Sequence, residues 1–243
     1  MTDRSRDAHL GNRLLAAIPE AAFAKLSPRL RTAPFKQGTI VQEVGEPIEN
    51  IYFPQDGMIS LIVLTGDGVG IEAATIGYEG AVGLHGGLGR RRAFTRAIVQ
   101  ISGTFSFIAA EDFARVVSED PAIKDIITQY TEVLWVEAQQ VAACNTLHSA
   151  EARLARWLLQ TQDRVRSDTI LLTQEFLSQM LGVRRTTVTL VARAFQKAGL
   201  IRYTRGHIVV LDRQGLEEAA CECYRIIQHE TLPKTIGVQL GPE

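Results

Sequence analysis

Residues 173–200 read TQEFLSQMLGVRRTTVTLVARAFQKAGL, and this stretch decides the fold of the C-terminal third. Thr173 can cap a short helix whose apolar residues recur every three or four positions up to Leu181. Gly182 follows at once, where a tight turn between two crossing helices needs an unhindered backbone. A second helix with one apolar face runs to Lys197, and Gly199 is typical of a helix C-terminus. The pattern predicts a helix-turn-helix.

Arginines and hydroxyls gather at the exposed start of the second helix. Arginine can bind guanine O6 and N7 with two hydrogen bonds, and hydroxyls and a helix N-terminus suit phosphates. The following run, LIRYTRGHIVVL at residues 200–211, predicts a β-hairpin that turns at Arg205-Gly206, a wing that lies along the DNA backbone. The residues predicted to contact DNA are Thr173, Gln174, Arg184, Arg185, Thr186, Thr187, Thr189, Arg202, Arg205 and His207.

Charge is distributed unevenly along the chain. The net charge is −1, yet residues 149–213 hold 11 Lys/Arg against 5 Asp/Glu. A basic block on a mildly acidic body favours a phosphate-binding module joined to a separate domain. An ordinary helical hairpin with a solvated basic face is the alternative.

Residues 35–107 consist of short β-prone runs separated by glycines. Turn signals every 8–12 residues or so are typical of an antiparallel sandwich or barrel. Gln55-Asp56-Gly57 and Thr65-Gly66-Asp67-Gly68 predict hairpin turns. The N-terminal part is therefore predicted to be a β domain.

A long helix is predicted from Pro121 to His148, because proline is tolerated in a first turn and no further proline or glycine follows. Its apolar residues follow a spacing of four and three, which favours packing on a twin helix in a dimer. Glu137 interrupts this stripe. The alternative is a long helix that lies on the β domain of a monomer. The predicted dimer residues are Ile123, Ile127, Tyr130, Leu134, Val141 and Cys144.

Other features narrow the functional class. The N-terminus lacks the apolar region of a signal peptide, and no apolar run approaches the roughly 18 residues that span a bilayer, so we expect a cytoplasmic protein with no membrane contact. The chain has only three cysteines, so the sequence does not predict a framework of disulfide bonds. Cys221 and Cys223, with His229 nearby, suggest metal or redox chemistry, but two thiols at that spacing are too few ligands for structural zinc, and the sequence predicts no metal site. No nucleotide loop, nucleophile elbow or paired metal-ligand motif indicates an enzyme.

The order of these parts resembles the Crp/Fnr family. The resemblance rests on Gly45-Glu46-Pro47 and Ile51-Tyr52-Phe53 in the β part, and on residues 172–175 and 182–201 in the C-terminal part. It implies an α+β fold with an N-terminal antiparallel, jelly-roll-like β-roll, a long dimerisation helix and a C-terminal winged helix-turn-helix. The implied divisions are a cyclic-nucleotide-binding-like sensor domain at 1–118, the long helix at 119–148, the DNA-binding domain at 149–230 and a tail at 231–243.

Departures from the family pattern concern the effector. Residues 77–97, GYEGAVGLHGGLGRRRAFTRA, resemble the phosphate-binding cassette of cyclic-nucleotide-binding members. Val82 stands where those members hold the ribose hydroxyl with Glu, Arg91 stands at their Arg, and Arg92 replaces a small hydroxyl residue. Gln139 falls near their adenine contact. Valine cannot accept the ribose hydrogen bond, so cyclic AMP is not expected.

The cofactors of the family are not expected either. No cysteine precedes Cys144, so the N-terminal cysteines of the oxygen-sensing members are missing and no iron–sulfur cluster is predicted. His85, in a glycine-rich loop, is interpreted as an exposed loop residue and not as a haem ligand. The sequence therefore predicts no cofactor.

Together these features predict a homodimeric bacterial transcription regulator, not an enzyme. Implied partners are double-stranded DNA with a two-fold symmetric site and RNA polymerase. Two alternatives stay open: a small-molecule-sensing module that acts through protein partners, and a cyclic-nucleotide-dependent regulator.

Overall fold

The computed structural model describes residues 7–231 except Asp67, Arg90, Arg166 and Arg205. Its N-terminal part begins with two short helices, α1 (Arg13–Ala16) and α2 (Glu20–Leu26), and continues into seven strands. The strands are β1 (Arg31–Phe35), β2 (Ile40–Gln42), β3 (Asn50–Pro54), β4 (Met58–Leu64), β5 (Gly70–Ile76), β6 (Arg96–Ile101) and β7 (Gly103–Ala109).

The strands form two antiparallel sheets, ordered β1-β7-β3 and β2-β6-β4-β5. Buried residues such as Ile59, Val99 and Phe105 fill the space between them. Alternation of apolar and polar residues places one face of each strand in this core. The prediction of a β-roll within an α+β fold is confirmed.

Only one of the two predicted hairpin turns joins neighbouring strands. The loop at Thr65–Gly68 links β4 to β5, which pair antiparallel. The turn at Gln55–Gly57 instead passes from β3 in one sheet to β4 in the other. A β-carbon at Gly57 would lie 2.7 Å from the carbonyl oxygen of Ile101, so the backbone of the β6–β7 connection occupies the space that a side chain would need.

Two helices follow the roll, α3 (Ala110–Glu119) and the long α4 (Pro121–Leu147). Asp120 caps α4, because its carboxylate accepts hydrogen bonds from the backbone N–H groups of Ala122 and Ile123. Pro121 lies in the first turn, as the sequence predicts. The helix ends where His148 adopts an extended backbone conformation.

Over its described residues, the C-terminal part contains five helices and one small sheet. Its elements are α5 (Ala150–Val165), β8 (Thr169–Leu171), α6 (Gln174–Leu181), α7 (Arg185–Lys197), β9 (Ile201–Thr204), β10 (His207–Val210), α8 (Arg213–Ala219) and α9 (Cys223–Thr231). The sheet has the order β8-β10-β9. Among the described helices, none is long and apolar enough to cross a membrane.

One apolar core is shared by the two parts of the chain. Met58 and Ile62 of β4 belong to the same buried cluster as Trp157 and Leu158 of α5. Helix α5 is consequently buried on nearly every side. The fold thus holds the C-terminal part against the roll through an interior contact, whereas a flexible linker would leave the two parts free.

Candidate DNA-binding surface, effector cavity and cysteine cluster

The helix-turn-helix has the local geometry that the sequence predicts. The Thr173 hydroxyl accepts a hydrogen bond of 3.3 Å from the backbone N–H of Phe176 and so caps α6. Gly182 ends that helix with φ +60°, a left-handed conformation that glycine adopts without strain. Val188 and Phe195 on α7 are buried against Leu177 on α6, which fixes the crossing of the two helices.

The start of α7 projects a polar, positively charged surface. Arg184, Arg185 and Thr186 are exposed, and Arg184 occupies the N-cap position without a capping hydrogen bond from its side chain. The Thr189 hydroxyl donates to Gln174 Oε1 at 3.1 Å, so these two predicted DNA contacts also join α6 to α7. Thr187 is half-buried. Exposed guanidiniums beside a free helix N-terminus can contact base edges and phosphates.

A wing follows the second helix. Strands β9 and β10 pair antiparallel, with Thr204 opposite His207, and β8 extends the sheet. Arg202 and His207 are exposed on this hairpin. Arg205, which is also predicted to contact DNA, lies outside the described residues. Gly206 has φ +84°, as expected for this turn.

Part of the basic block at residues 149–213 is buried. The number of charged residues in the sequence could not show this. Arg153, Arg156 and Arg164, all on α5, are buried. Arg213 pairs with Asp163 at 2.9 Å and Glu217 at 2.9 Å. The cationic surface that remains for DNA consists of fewer residues than the excess of charge in the sequence suggests.

Arg164 carries a buried ion-pair network between α5, the roll and α4. Its Nε donates to Glu79 Oε1 at 2.6 Å, and its Nη2 lies 3.3 Å from Glu137 Oε1. Burial alone would lower the pKa of Arg164, but the two carboxylates raise it. Burial also raises the pKa of Glu137. The network explains why Glu137 interrupts the apolar stripe of the long helix.

Glu72 on β5 makes a second buried contact across the same boundary. It accepts hydrogen bonds from Trp157 Nε1 at 2.8 Å and from the Ser60 hydroxyl at 2.6 Å. Burial raises the pKa of Glu72 to about 7. The hydrogen bond from Trp157 joins the DNA-binding part to the sheet of the roll, and the one from Ser60 lies within that sheet.

A cavity of about 280 Å³ lies between the roll and the long helix. Its wall includes Val82, Phe94, Leu134 and Trp135, and it is predominantly apolar. Among the described residues, no Lys, Arg, Asp or Glu lines it. Such a cavity favours an apolar or aromatic molecule, and His85 is the one described residue of its wall that could carry a positive charge.

The predicted effector residues are only partly brought together. Val82 lines the cavity, but Arg91, Arg92 and Gln139 do not. Arg91 is exposed and lies 3.9 Å from Glu111, and Arg92 donates to the Gly45 carbonyl at 2.7 Å. Both arginines are exposed on the surface of the loop, outside the cavity. The sequence did not predict that Leu134 and Trp135 line this cavity, and the helix stripe assigned Leu134 to a dimer.

The predicted dimer stripe of the long helix packs within its own chain. Ile123, Ile127 and Tyr130 are buried against the roll, where a β-carbon at Gly80 would overlap the Tyr130 hydroxyl. Val141 and Cys144 are buried, and Leu134 lines the cavity. The assignment of this stripe to a subunit interface is corrected, because the roll, α5 and α9 already cover it. The dimer itself stays a prediction.

The expectation of no metal site and no cofactor is wrong, because the fold brings together four side chains that can bind a metal ion. Cys144 and His148, one turn apart at the end of α4, meet Cys221 and Cys223 at the start of α9. The four potential ligand atoms lie within 4.8 Å of one another. A hydrogen bond with Cys221 lowers the pKa of Cys144 and raises that of Cys221. The sequence pattern pointed only to Cys221 and Cys223 and their near neighbours as possible ligands. Because 72 residues lie between His148 and Cys221, only the fold shows that Cys144 and His148 lie beside them.

The chain is similar to known proteins in its helix-turn-helix segment and in its overall fold. The pattern of the Crp-like helix-turn-helix domain matches residues 152–219. No curated protein sequence matches the chain. A Crp/Fnr-family transcriptional regulator from Eubacterium rectale is similar over 87% of this chain and 99% of its own, with a TM-score of 0.68 and 19% identity.

Two further solved structures share the fold. FixK2 from Bradyrhizobium japonicum matches with a TM-score of 0.67 and 17% identity, over 79% of this chain and 98% of its own. The c-di-GMP-responsive global regulator CLP from Xanthomonas campestris matches with a TM-score of 0.66 and 16% identity, over 80% of this chain and 100% of its own. The similarity extends over both the roll and the helix-turn-helix.

Proposed function

This chain has the fold of the Crp/Fnr transcription regulators and a Crp-like helix-turn-helix domain, and from that premise we propose that it binds a two-fold symmetric DNA site as a homodimer. The observation that carries the proposal is the exposed start of α7, where Arg184 and Arg185 flank a free helix N-terminus. Thr173, Gln174, Thr186, Thr187 and Thr189 surround it, and Arg202, Arg205 and His207 supply the wing. RNA polymerase is the partner through which such binding would change transcription in the bacterial cytoplasm.

The outer face of the long helix supports the proposed dimer. Trp135 is 66% exposed and Leu147 is 76% exposed, although the opposite face of the helix is buried in the chain. Large apolar side chains at such exposure favour a contact with another apolar surface. In a dimer of this kind, the exposed ring of Trp135 would close the mouth of the cavity that it lines.

The proposed regulator does not respond to cyclic AMP. Val82 lines the cavity and cannot accept a ribose hydrogen bond, and Arg91 and Arg92 lie outside it. A cyclic nucleotide would therefore find no arginine or lysine for its phosphate among the described residues of the wall. An effector, where one acts here, is expected to be largely apolar.

The test is selection from a randomised pool of double-stranded DNA, with and without cyclic AMP. We expect a two-fold symmetric motif in both conditions. Arg185→Ala should weaken binding to that motif by about 1–3 kcal/mol and relax its specificity at one base pair. Lys197→Ala, at the far end of the same helix, is the matched control and should keep the sequence preference.

Three outcomes would contradict parts of this proposal. A motif that appears only with cyclic AMP would overturn the interpretation of Val82. A motif without two-fold symmetry would contradict the dimer. Failure to enrich any sequence would favour a module that acts through protein partners.

A further inference from the structure

Three side chains besides Cys144 converge at the junction of the long helix and the C-terminal helix. Cys144 Sγ lies 3.5 Å from Cys221 Sγ, and Cys223 Sγ lies 3.5 Å from His148 Nδ1. A zinc ion with bonds of about 2.3 Å to sulfur and about 2.0 Å to nitrogen would separate tetrahedral ligands by about 3.5–3.8 Å. Both distances lie close to that range and the whole set lies within 4.8 Å, so shifts of about 1 Å would close the site.

We propose that Cys144, His148, Cys221 and Cys223 bind one Zn²⁺ ion that joins the end of α4 to the start of α9. Three cysteines and one histidine are a complete ligand set for structural zinc. Because all four ligand atoms lie within 4.8 Å of one another, they fit a single ion.

The surroundings of the cluster provide the outer contacts that such a site needs. His148 Nε2 lies 3.2 Å from Glu222 Oε1, so a carboxylate orients the imidazole and leaves Nδ1 free for the metal. Gln140 Nε2 donates to Cys223 Sγ at 3.1 Å, which stabilises a thiolate. The first contact holds His148 by the nitrogen that the metal does not use, and the second is a hydrogen bond to a sulfur that also binds the metal.

Buried arginines balance the charge of the site. Three thiolates and a neutral imidazole around Zn²⁺ leave one negative charge. Arg153 and Arg156 on α5 are buried, and each interacts electrostatically with Cys144. In the part of the chain that the structure describes, the Nε atoms of both lack a hydrogen-bond partner. Two guanidiniums beside an apolar cluster are expected where an anionic centre is bound.

The position of the ion gives it a mechanical role. Cys144 and His148 precede the break between α4 and α5, and Cys221 and Cys223 follow the whole helix-turn-helix. A metal bond between them closes the C-terminal part into a loop anchored on the long helix. Zinc therefore fixes the orientation of the DNA-binding part relative to α4, and its loss frees α9.

The first measurement is the metal content of the full chain, purified under reducing conditions without a chelator. We expect one zinc per chain, and Cys144→Ser and His148→Ala should each reduce that content several-fold. His229→Ala, an exposed histidine on α9, is the matched control and should keep the full content. A zinc content that is unchanged in Cys144→Ser would overturn the assignment, as would iron with acid-labile sulfide.

The second measurement needs no variant and covers the case in which a substituted chain fails to fold. Cobalt substituted for zinc should give the intense visible absorption of a tetrahedral site and a thiolate-to-cobalt charge-transfer band. These are the only three cysteines of the chain, so that band reports on this cluster alone. Its absence, or a Cys144–Cys221 disulfide in freshly purified metal-free protein, would overturn the proposal.

Hydrogen–deuterium exchange tests the mechanical role. Removal of zinc with a chelator should increase exchange in residues 223–231 more than in β4 and β5. Equal protection with and without the metal would contradict the role of zinc in holding α9.

Discussion

Glu72→Gln should change how the stability of the protein depends on pH. Glu72 is fully buried, and burial raises its pKa from 4.5 to about 7. Gln keeps the shape of the side chain and both hydrogen bonds: its carbonyl accepts from Trp157 Nε1 and its amide donates to the Ser60 hydroxyl. The substitution therefore removes the titration and leaves the packing in place.

The sign of the pH dependence of stability follows from whether the folded or the unfolded chain binds the proton of Glu72 more tightly. Below pH 4.5 the carboxyl is protonated in both the folded and the unfolded chain, so Glu72 makes no pH-dependent contribution. Between pH 4.5 and about 7 the folded chain keeps a proton that the unfolded chain has released, so stability falls as pH rises. Above pH 7 the folded chain bears the full cost of a buried carboxylate, which is about 3 kcal/mol.

The assay is urea denaturation at fixed protein concentration across pH 4–8, followed by the fluorescence of the two tryptophans, exposed Trp135 and buried Trp157. The free energy of unfolding of Glu72→Gln, minus that of the unsubstituted chain, should increase by about 3 kcal/mol from the low to the high end of the range. Glu119→Gln, an exposed glutamate on α3, is the control and should follow the unsubstituted chain. Parallel curves for Glu72→Gln and the unsubstituted chain would refute the reasoning.

Three other substitutions test the network, the wing and the outer face of the long helix. Arg164→Met should lower the free energy of unfolding by about 3–5 kcal/mol, because it leaves Glu79 and Glu137 buried without a counter-charge. Urea denaturation measures this loss, and the double variant that adds Glu79→Gln should recover part of it. Arg202→Ala should weaken binding to all DNA sequences about equally and reduce the slope of log K against log salt by about 1. Fluorescence anisotropy measures it, and a loss confined to one sequence would contradict the backbone contact. Trp135→Glu should give monomers in light scattering, and a persistent dimer would place the interface elsewhere.

Local sequence signals predicted the elements that depend on local physics. Gly182 and Thr173 marked the turn and the cap of the helix-turn-helix because left-handed backbone and an N-terminal hydroxyl are requirements of single residues. Pro121 marked the start of the long helix for the same reason. These parts could be derived without knowledge of what surrounds them.

The sites that the sequence missed depend on contacts between distant residues. The stripe of the long helix showed that one face is buried but could not show whether the roll or a second subunit covers it. Arg164 looked like part of a basic surface until the fold placed Glu79, 85 residues away, beside it. The cysteine cluster was missed in the same way, because Cys144 and Cys221 are 77 residues apart.

The Arg164 network also determines how this protein can recombine with its relatives. A crossover in the loop at Ser149 would seem natural, since it divides the sensor from the DNA-binding module. A chimera made there inherits the guanidinium from one parent and the carboxylates at Glu79 and Glu137 from the other. Unless the other parent carries matching residues, the hybrid holds an uncompensated charge in its interior. The unit that relatives can exchange must therefore contain Arg164 together with Glu79 and Glu137. The loop at Ser149 does not mark the boundary of that unit.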